Sequence, residues 1–176
     1  NQIKKGIPKI IENASSLFSD AVLLENNNRN ERAYTLYQLS IEEIGKAFML
    51  IGSLIFEDIG DSETQKKLRN DIKNHQAKSK KSIGLDVFLI EFMKTRDNKK
   101  YEKLVIESFA EFDKTNSINE KKNLSLYTSF NDNKFLKPSE CITSEDIKKI
   151  KAKAIYRLFI GEKLFPILAC KTELFK

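Results

Sequence analysis

His75 is the only histidine among 176 residues, so any imidazole chemistry within one subunit must run through it. A histidine changes charge near neutral pH and can take a proton from a hydroxyl. Lys78 lies one helical turn further on, while Arg69 and its neighbour Asn70 precede His75 by six and five residues. On one continuous helix Arg69 would stand about 120° around the axis from His75, so the two would flank a groove rather than stack. A histidine base among cations suits metal-free RNA cleavage. The base takes the ribose 2′-OH proton, the 2′ oxygen attacks the adjacent phosphorus in line, and a 2′,3′-cyclic phosphate is left. Lys78, Lys46 or Arg69 would then stabilise charge on the phosphoryl oxygens. The leaving oxygen also needs an acid, and Tyr127 or a second His75 from a symmetry-related subunit could supply it.

A second group lies in Ala33–Ile55, which reads as one long helix. Tyr34, Tyr37, Ile41, Ile44, Phe48, Ile51 and Ile55 form one apolar stripe, and Leu36, Ser40, Glu43, Ala47, Leu50 and Leu54 a second. Such a helix belongs at the centre of a bundle. Glu43 falls inside the second stripe, where a carboxylate needs a cation or donor from a neighbouring helix. Glu42 and Lys46, four residues apart, read as a surface ion pair.

The chain carries a net charge of +6. Lys66, Lys67, Arg69, Lys73, Lys78, Lys80 and Lys81 face Asp71 alone between Gln65 and Lys81, a local surplus of +6 that equals the whole. A localised basic stripe is the footprint of a phosphate-binding surface, and Lys66, Lys67, Asn70, Lys73, Lys80 and Lys81 are the RNA-contact candidates. Other chemistries fit poorly. One His and two distant cysteines, Cys141 and Cys170, cannot make a zinc site, and no HExxH, P-loop or GxGxxG is present. No metal or other cofactor is therefore expected. The cysteines read as reduced thiols, and no signal peptide or membrane-spanning run is read, so a cytoplasmic protein is expected.

These residues must be positioned by helices. With few Gly and Pro, the chain reads as a single all-α domain over residues 1–176, a bundle of about five helices. The first covers about Ile7–Glu25, with Pro8 in its first turn, and Asn26–Asn30 is a polar turn. The central helix ends near Asp58–Asp61. A third, capped by Ser62, covers about Glu63–Ser82 and turns His75 toward the bundle along the Leu68–Ile72 stripe. An apolar segment follows at Leu85–Met93 and a fourth helix at about Lys99–Lys114. Residues 115–140 read as irregular, with a short hairpin around Asn131–Asn133. Thr143 or Ser144 caps the last helix, which Pro166 shortens or kinks.

Three stretches in order along the chain carry a family resemblance. Ser40-Ile-Glu-Glu-Ile-Gly-Lys-Ala47 resembles the EE-x-GK signature of AbiV-type abortive-infection proteins of the HEPN superfamily. Asn74-His-Gln-Ala-Lys78 resembles their His-x-x-Lys element, and Leu124-Ser-Leu-Tyr-Thr-Ser-Phe130, with Pro138 after it, their LY-x-x-F…P segment. Arg69 and His75 also match the Arg-x4–6-His pattern of HEPN ribonucleases. The resemblance implies a HEPN-like helical bundle acting in phage defence, a homodimer with a composite site, RNA as substrate, and a phage-encoded activator as a possible partner. A non-catalytic module that binds RNA, ribosomes or a phage protein is the alternative it implies.

Overall fold

The structure is a computed structural model that describes residues 2–56, 61–75, 77, 78, 80, 81, 83–85, 106 and 115–170. Helices dominate. α1 (Gln2–Asn26) and α2 (Asn30–Phe56) are joined by the polar turn, where Asn28 takes a left-handed φ of 58° that asparagine tolerates. α1 begins five residues earlier than the sequence pattern indicated. Ile3 and Ile7 pack into the core ahead of Pro8, which stays on the exposed face.

α3 (Ser62–Lys73) is capped by Asp61, not Ser62: its carboxylate accepts from Thr64 N at 2.7 Å. The expected single helix through Ser82 is broken. Asn74 leaves helical geometry (φ −85°, ψ 115°) and its Oδ1 accepts from Ala77 N at 3.2 Å, which caps a new helical segment beginning at His75. An asparagine that competes for backbone donors is the reason the chain turns here. The expected helix at Lys99–Lys114 and the segment Leu85–Met93 fall outside the described residues, apart from Ile106 and the buried Leu85.

Residues 115–140 are more ordered than expected. α4 (Thr115–Leu124) comes first, followed by the antiparallel hairpin of β1 (Ser129–Asn131) and β2 (Lys134–Leu136). Its two turn residues, Asp132 and Asn133, have φ of 48° and 60°, the left-handed pair that a tight hairpin requires. α5 (Pro138–Cys141) leads to α6 (Ser144–Lys163), where Thr143 and Asp146 form a reciprocal capping box. α6 stops before Pro166, and α7 (Phe165–Cys170) completes the described chain.

The core is built along α2. Its N-terminal half (Ala33, Tyr34, Tyr37, Ile41) packs with Ala21 of α1 and Ile147, Ile150 and Ala154 of α6. Its C-terminal half (Ile44, Ala47, Leu50, Ile51, Leu54) packs with Ile7 and Ala14 of α1, Leu158 and Ile160 of α6, and Phe165 and Leu168 of α7. α6 therefore runs parallel to α2, and α1 antiparallel to both. Ser40 Oγ ties α2 to α1 through the Ala14 carbonyl at 2.8 Å. Among the described residues no helix is long and apolar enough to cross a membrane.

Candidate active site

Because α2 lies between helices on several sides, a third stripe is buried besides the two apolar ones: Thr35, Gln38, Glu42, Gly45, Met49 and Ser53. Polar groups there need partners from the elements that cover them. Thr35 Oγ1 lies 2.6 Å from Ser125 Oγ, and Ser125 donates its single hydroxyl proton to the Lys122 carbonyl at 2.6 Å, so Thr35 is the donor between the two. Arg32 adds a bond to the Leu126 carbonyl at 3.2 Å. These bonds dock the C-terminal end of α4 on α2 where few apolar side chains are available to do so.

Glu42 is the centre of the site. It is 2 % exposed, and both of its oxygens are engaged. Oε2 accepts from His75 Nδ1 at 2.6 Å, Oε1 accepts from Lys122 Nζ at 2.9 Å, and Lys78 Nζ stands 3.9 Å from Oε2. Three segments distant in sequence thus meet on one carboxylate. A carboxylate can only accept, so Nδ1 carries a proton, and in the neutral imidazole Nε2 keeps its lone pair. The His75 side chain is 54 % exposed, which corrects the expectation that it turns into the bundle. The break at Asn74 is the cause, because it re-aims the chain before His75.

Glu43 finds the donor from a neighbouring helix that was expected of it, whereas Glu42 is not the surface residue expected. Glu43 is mostly buried and pairs with Lys46 at 2.6 Å, and it accepts from Asn13 Nδ2 of α1 at 3.1 Å. The expected Glu42–Lys46 surface pair is therefore replaced by Glu43–Lys46, and the deeply buried carboxylate is Glu42. Lys78 is nearly buried; burial lowers its pKa, the opposing attraction of Glu42 and Glu43 is outweighed, and Lys46 and Lys122 push in the same direction as burial. With His75 neutral, Glu42, Lys78 and Lys122 together hold a net charge of +1, which favours an anion at the mouth.

Lys66, Lys67, Asn70, Lys73, Lys80 and Lys81 are all exposed. Lys67 and Lys81 stand with Asp71 around a cavity of about 320 Å³ floored by Met49, Gly52 and Ser53 of α2. Met49 is seven residues along α2 from Glu42, roughly 10 Å at the helical rise, so this basic cavity adjoins the Glu42 cluster. Arg69 does not join the cluster. It is exposed, donates to Gln65 Oε1 at 3.2 Å on its own helix, and is separated from His75 by the Asn74 break. Tyr127 is 66 % exposed and lines a different depression with Glu120, Asn123 and Asn131.

The AbiV family model of HEPN domains matches residues 2–157. The chain belongs to the AbiV family. It is thus an abortive-infection protein of HEPN type, and the helical architecture agrees with that membership. Searches of curated proteins and of solved structures gave no match. In this AbiV protein the first two stretches that carried the resemblance converge: Glu42 comes from the first, His75 and Lys78 from the second. The third begins at Leu124, two residues after Lys122.

Two residues of the cluster were missed by sequence reasoning. Glu42 could have been found from the Thr35–Gln38–Glu42 spacing, a polar stripe on a helix otherwise apolar on two faces. Lys122 carried no such signal, since its helix has only Ile118 and Leu124 as aliphatic side chains and no readable period.

Proposed function

We propose that this AbiV protein is a metal-independent endoribonuclease that cleaves RNA by 2′-OH attack and so blocks translation in infected cells. One observation carries the proposal: buried Glu42 holds His75 Nδ1 at 2.6 Å while much of the imidazole stays in solvent. Nε2 is then the base that takes the ribose 2′-OH proton, and Glu42 steadies the imidazolium that forms. The 2′ oxygen bonds to the phosphorus as the bond to the 5′ oxygen breaks, giving a cyclic phosphate and a 5′-hydroxyl. Lys78 stands 3.9 Å from the same Glu42 oxygen as His75, and burial makes it a stronger acid than an ordinary lysine. We assign it to the phosphoryl charge and to the proton for the leaving oxygen. The donor set itself disfavours a metal, because two of the groups around Glu42 are ammonium ions.

The basic cavity and the exposed lysines of α3 would guide the RNA backbone. A homodimer that pairs two basic faces across one cleft is part of the proposal, with the partner subunit's His75 as the other source of the leaving-group proton. A ribonuclease of this kind must be silent before infection, so a phage-encoded activator is the partner it calls for. A second reading, a non-catalytic module that binds RNA or a phage protein, is favoured by the complete pairing of Glu42 inside the fold, as a register-fixing network requires.

The test is cleavage of mixed cellular RNA in EDTA, with and without lysate from phage-infected cells, comparing wild type and a folded His75→Ala variant. Cyclic-phosphate ends that vanish in the variant are expected. Intact RNA in both conditions, with a large loss of melting temperature in the variant, would leave the binding module.

A further inference from the structure

The hairpin after α4 exposes an aromatic pair that no core contact among the described residues accounts for. Phe130 and Phe135 are direct cross-strand partners with ring centroids 4.8 Å apart and planes tilted by 47°. They are nevertheless 58 % and 75 % exposed, and Tyr127, three residues before Phe130, is 66 % exposed. Cross-strand pairing by itself stabilises a hairpin by only about 0.2–1 kcal/mol, and β-branched or smaller residues would serve as well. Large rings left in water on a short ribbon mark a contact surface.

We propose that this hairpin is a stacking platform for single-stranded RNA, with bases laid on Phe130 and Phe135. The choice of RNA rests on the ribonuclease proposal for its substrate and on three observations for its place. Every large exposed hydrophobic described between residues 116 and 141 is aromatic, while the aliphatic Leu126 and Leu136 beside them are only partly exposed. Lys134 and Lys137 are exposed against Asp132 alone between residues 127 and 137, so the ribbon is basic, with Asn131 and Asn133 exposed beside the rings. Bases stack on aromatic rings without regard to sequence, while nearby cations follow the backbone. The hairpin is also fastened to the catalytic cluster. α4 carries Lys122 onto Glu42, and Phe130 is eight residues further along, within about 29 Å even if that stretch were fully extended. One short strand can therefore lie on the rings and reach His75.

Fluorescence anisotropy with a labelled single-stranded oligouridine tests this, in EDTA and in a His75→Ala background so that nothing is cut. Phe130→Leu/Phe135→Leu keeps the strands apolar and removes the stacking faces; Phe130→Tyr/Phe135→Tyr keeps both. The leucine variant is expected to bind roughly tenfold or more weakly with an unchanged salt dependence, and the tyrosine variant to bind as the parent does. Equal binding by the leucine variant, loss in both variants, or no RNA binding by the parent would overturn the platform; the last would point to a protein occupant. Retained binding with no cleavage by wild type would overturn the ribonuclease alone.

Discussion

Glu42 and His75 lie 33 residues apart and meet at 2.6 Å, with the carboxylate 2 % exposed and the imidazole 54 % exposed. In the proposed ribonuclease, a buried acid holding an exposed base leaves the imidazole rather than the carboxylate to face the substrate. Its other partners are the buried Lys122 and Lys78, so Glu42 also balances charge inside the fold. Glu42→Gln should therefore do two separable things. It leaves Lys122 without a counterion, a loss of about 3–5 kcal/mol measured by denaturant unfolding. It also removes the charge that supports the imidazolium, and RNA cleavage should fall about a hundredfold or more. Glu42→Gln/Lys122→Met should regain most of the stability and none of the activity; recovery of both would place Glu42 outside the chemistry.

Lys78 gives the opposite balance. Burial lowers its pKa, so the folded chain holds that proton less tightly than the unfolded chain does. The charged form thus works against folding at neutral pH, and stability gains from this group as pH rises through the alkaline range toward 10.5. Lys78→Met should melt no lower than wild type at pH 7, lose that alkaline dependence, and cleave RNA about a hundredfold more slowly. A clear drop in melting temperature would make Lys78 a structural tie.

Arg69 separates two versions of the catalytic motif. Its spacing to His75 matches the HEPN ribonuclease pattern, yet it is exposed and bonded to Gln65. Arg69→Ala should change cleavage less than Lys78→Met does and leave the unfolding free energy within about 0.5 kcal/mol of wild type. Equal damage from both substitutions would restore Arg69 to the site.

Much of this could be read from the residues. The apolar stripes of α2 fixed its central place, Asp132–Asn133 announced the hairpin, and Thr143 marked the start of α6. His75 and Lys78 were found because histidine is unique and lysine lies one turn on. What escaped was governed by tertiary packing. Glu42 and Glu43 are adjacent, and only the covering helices decide which of them is buried. α4 docks through Thr35, Ser125 and Lys122, polar bonds that leave no hydrophobic period. The Asn74 break is a local competition between side chain and backbone inside an otherwise helix-favouring sequence.

Acid should weaken the ties that Glu25 and Asp146 make between helices. Burial works to raise the Glu25 pKa, but hydrogen bonds from Tyr37 at 2.6 Å and Lys151 at 2.9 Å outweigh it and hold it below 4.5. Asp146 behaves alike: burial opposes, and bonds from Lys121 and Thr143 keep it below 3.8. Both groups stabilise the fold fully above those ordinary values and lose their contribution as pH falls through the lower folded ones. Thermal melts between pH 7 and 3 should decline in that window, and Glu25→Gln/Asp146→Asn should flatten the decline. An unchanged slope would show that other carboxylates govern it.

Gly161 marks how closely α6 approaches α2. A Cβ there would meet Ile44 Cδ1 at 2.6 Å and Ile44 Cγ1 at 3.7 Å, and Ile44 is fully buried in the core cluster with Ala47, Leu50 and Leu158. A single methyl therefore has to displace a side chain that has little room to move, at a cost of about 1–3 kcal/mol. Alanine's better helix propensity offsets at most about 1 kcal/mol of that. Gly161→Ala should lower stability, and Gly161→Ala/Ile44→Val should recover part of it, because valine lacks the Cδ1 that clashes. Ile44 sits two residues after Glu42 on α2, so the single variant should also disturb cleavage while the double variant restores it. A stable Gly161→Ala would mean that the α2–α6 crossing yields more readily than its packing indicates, and that the Glu42 cluster is not held by it.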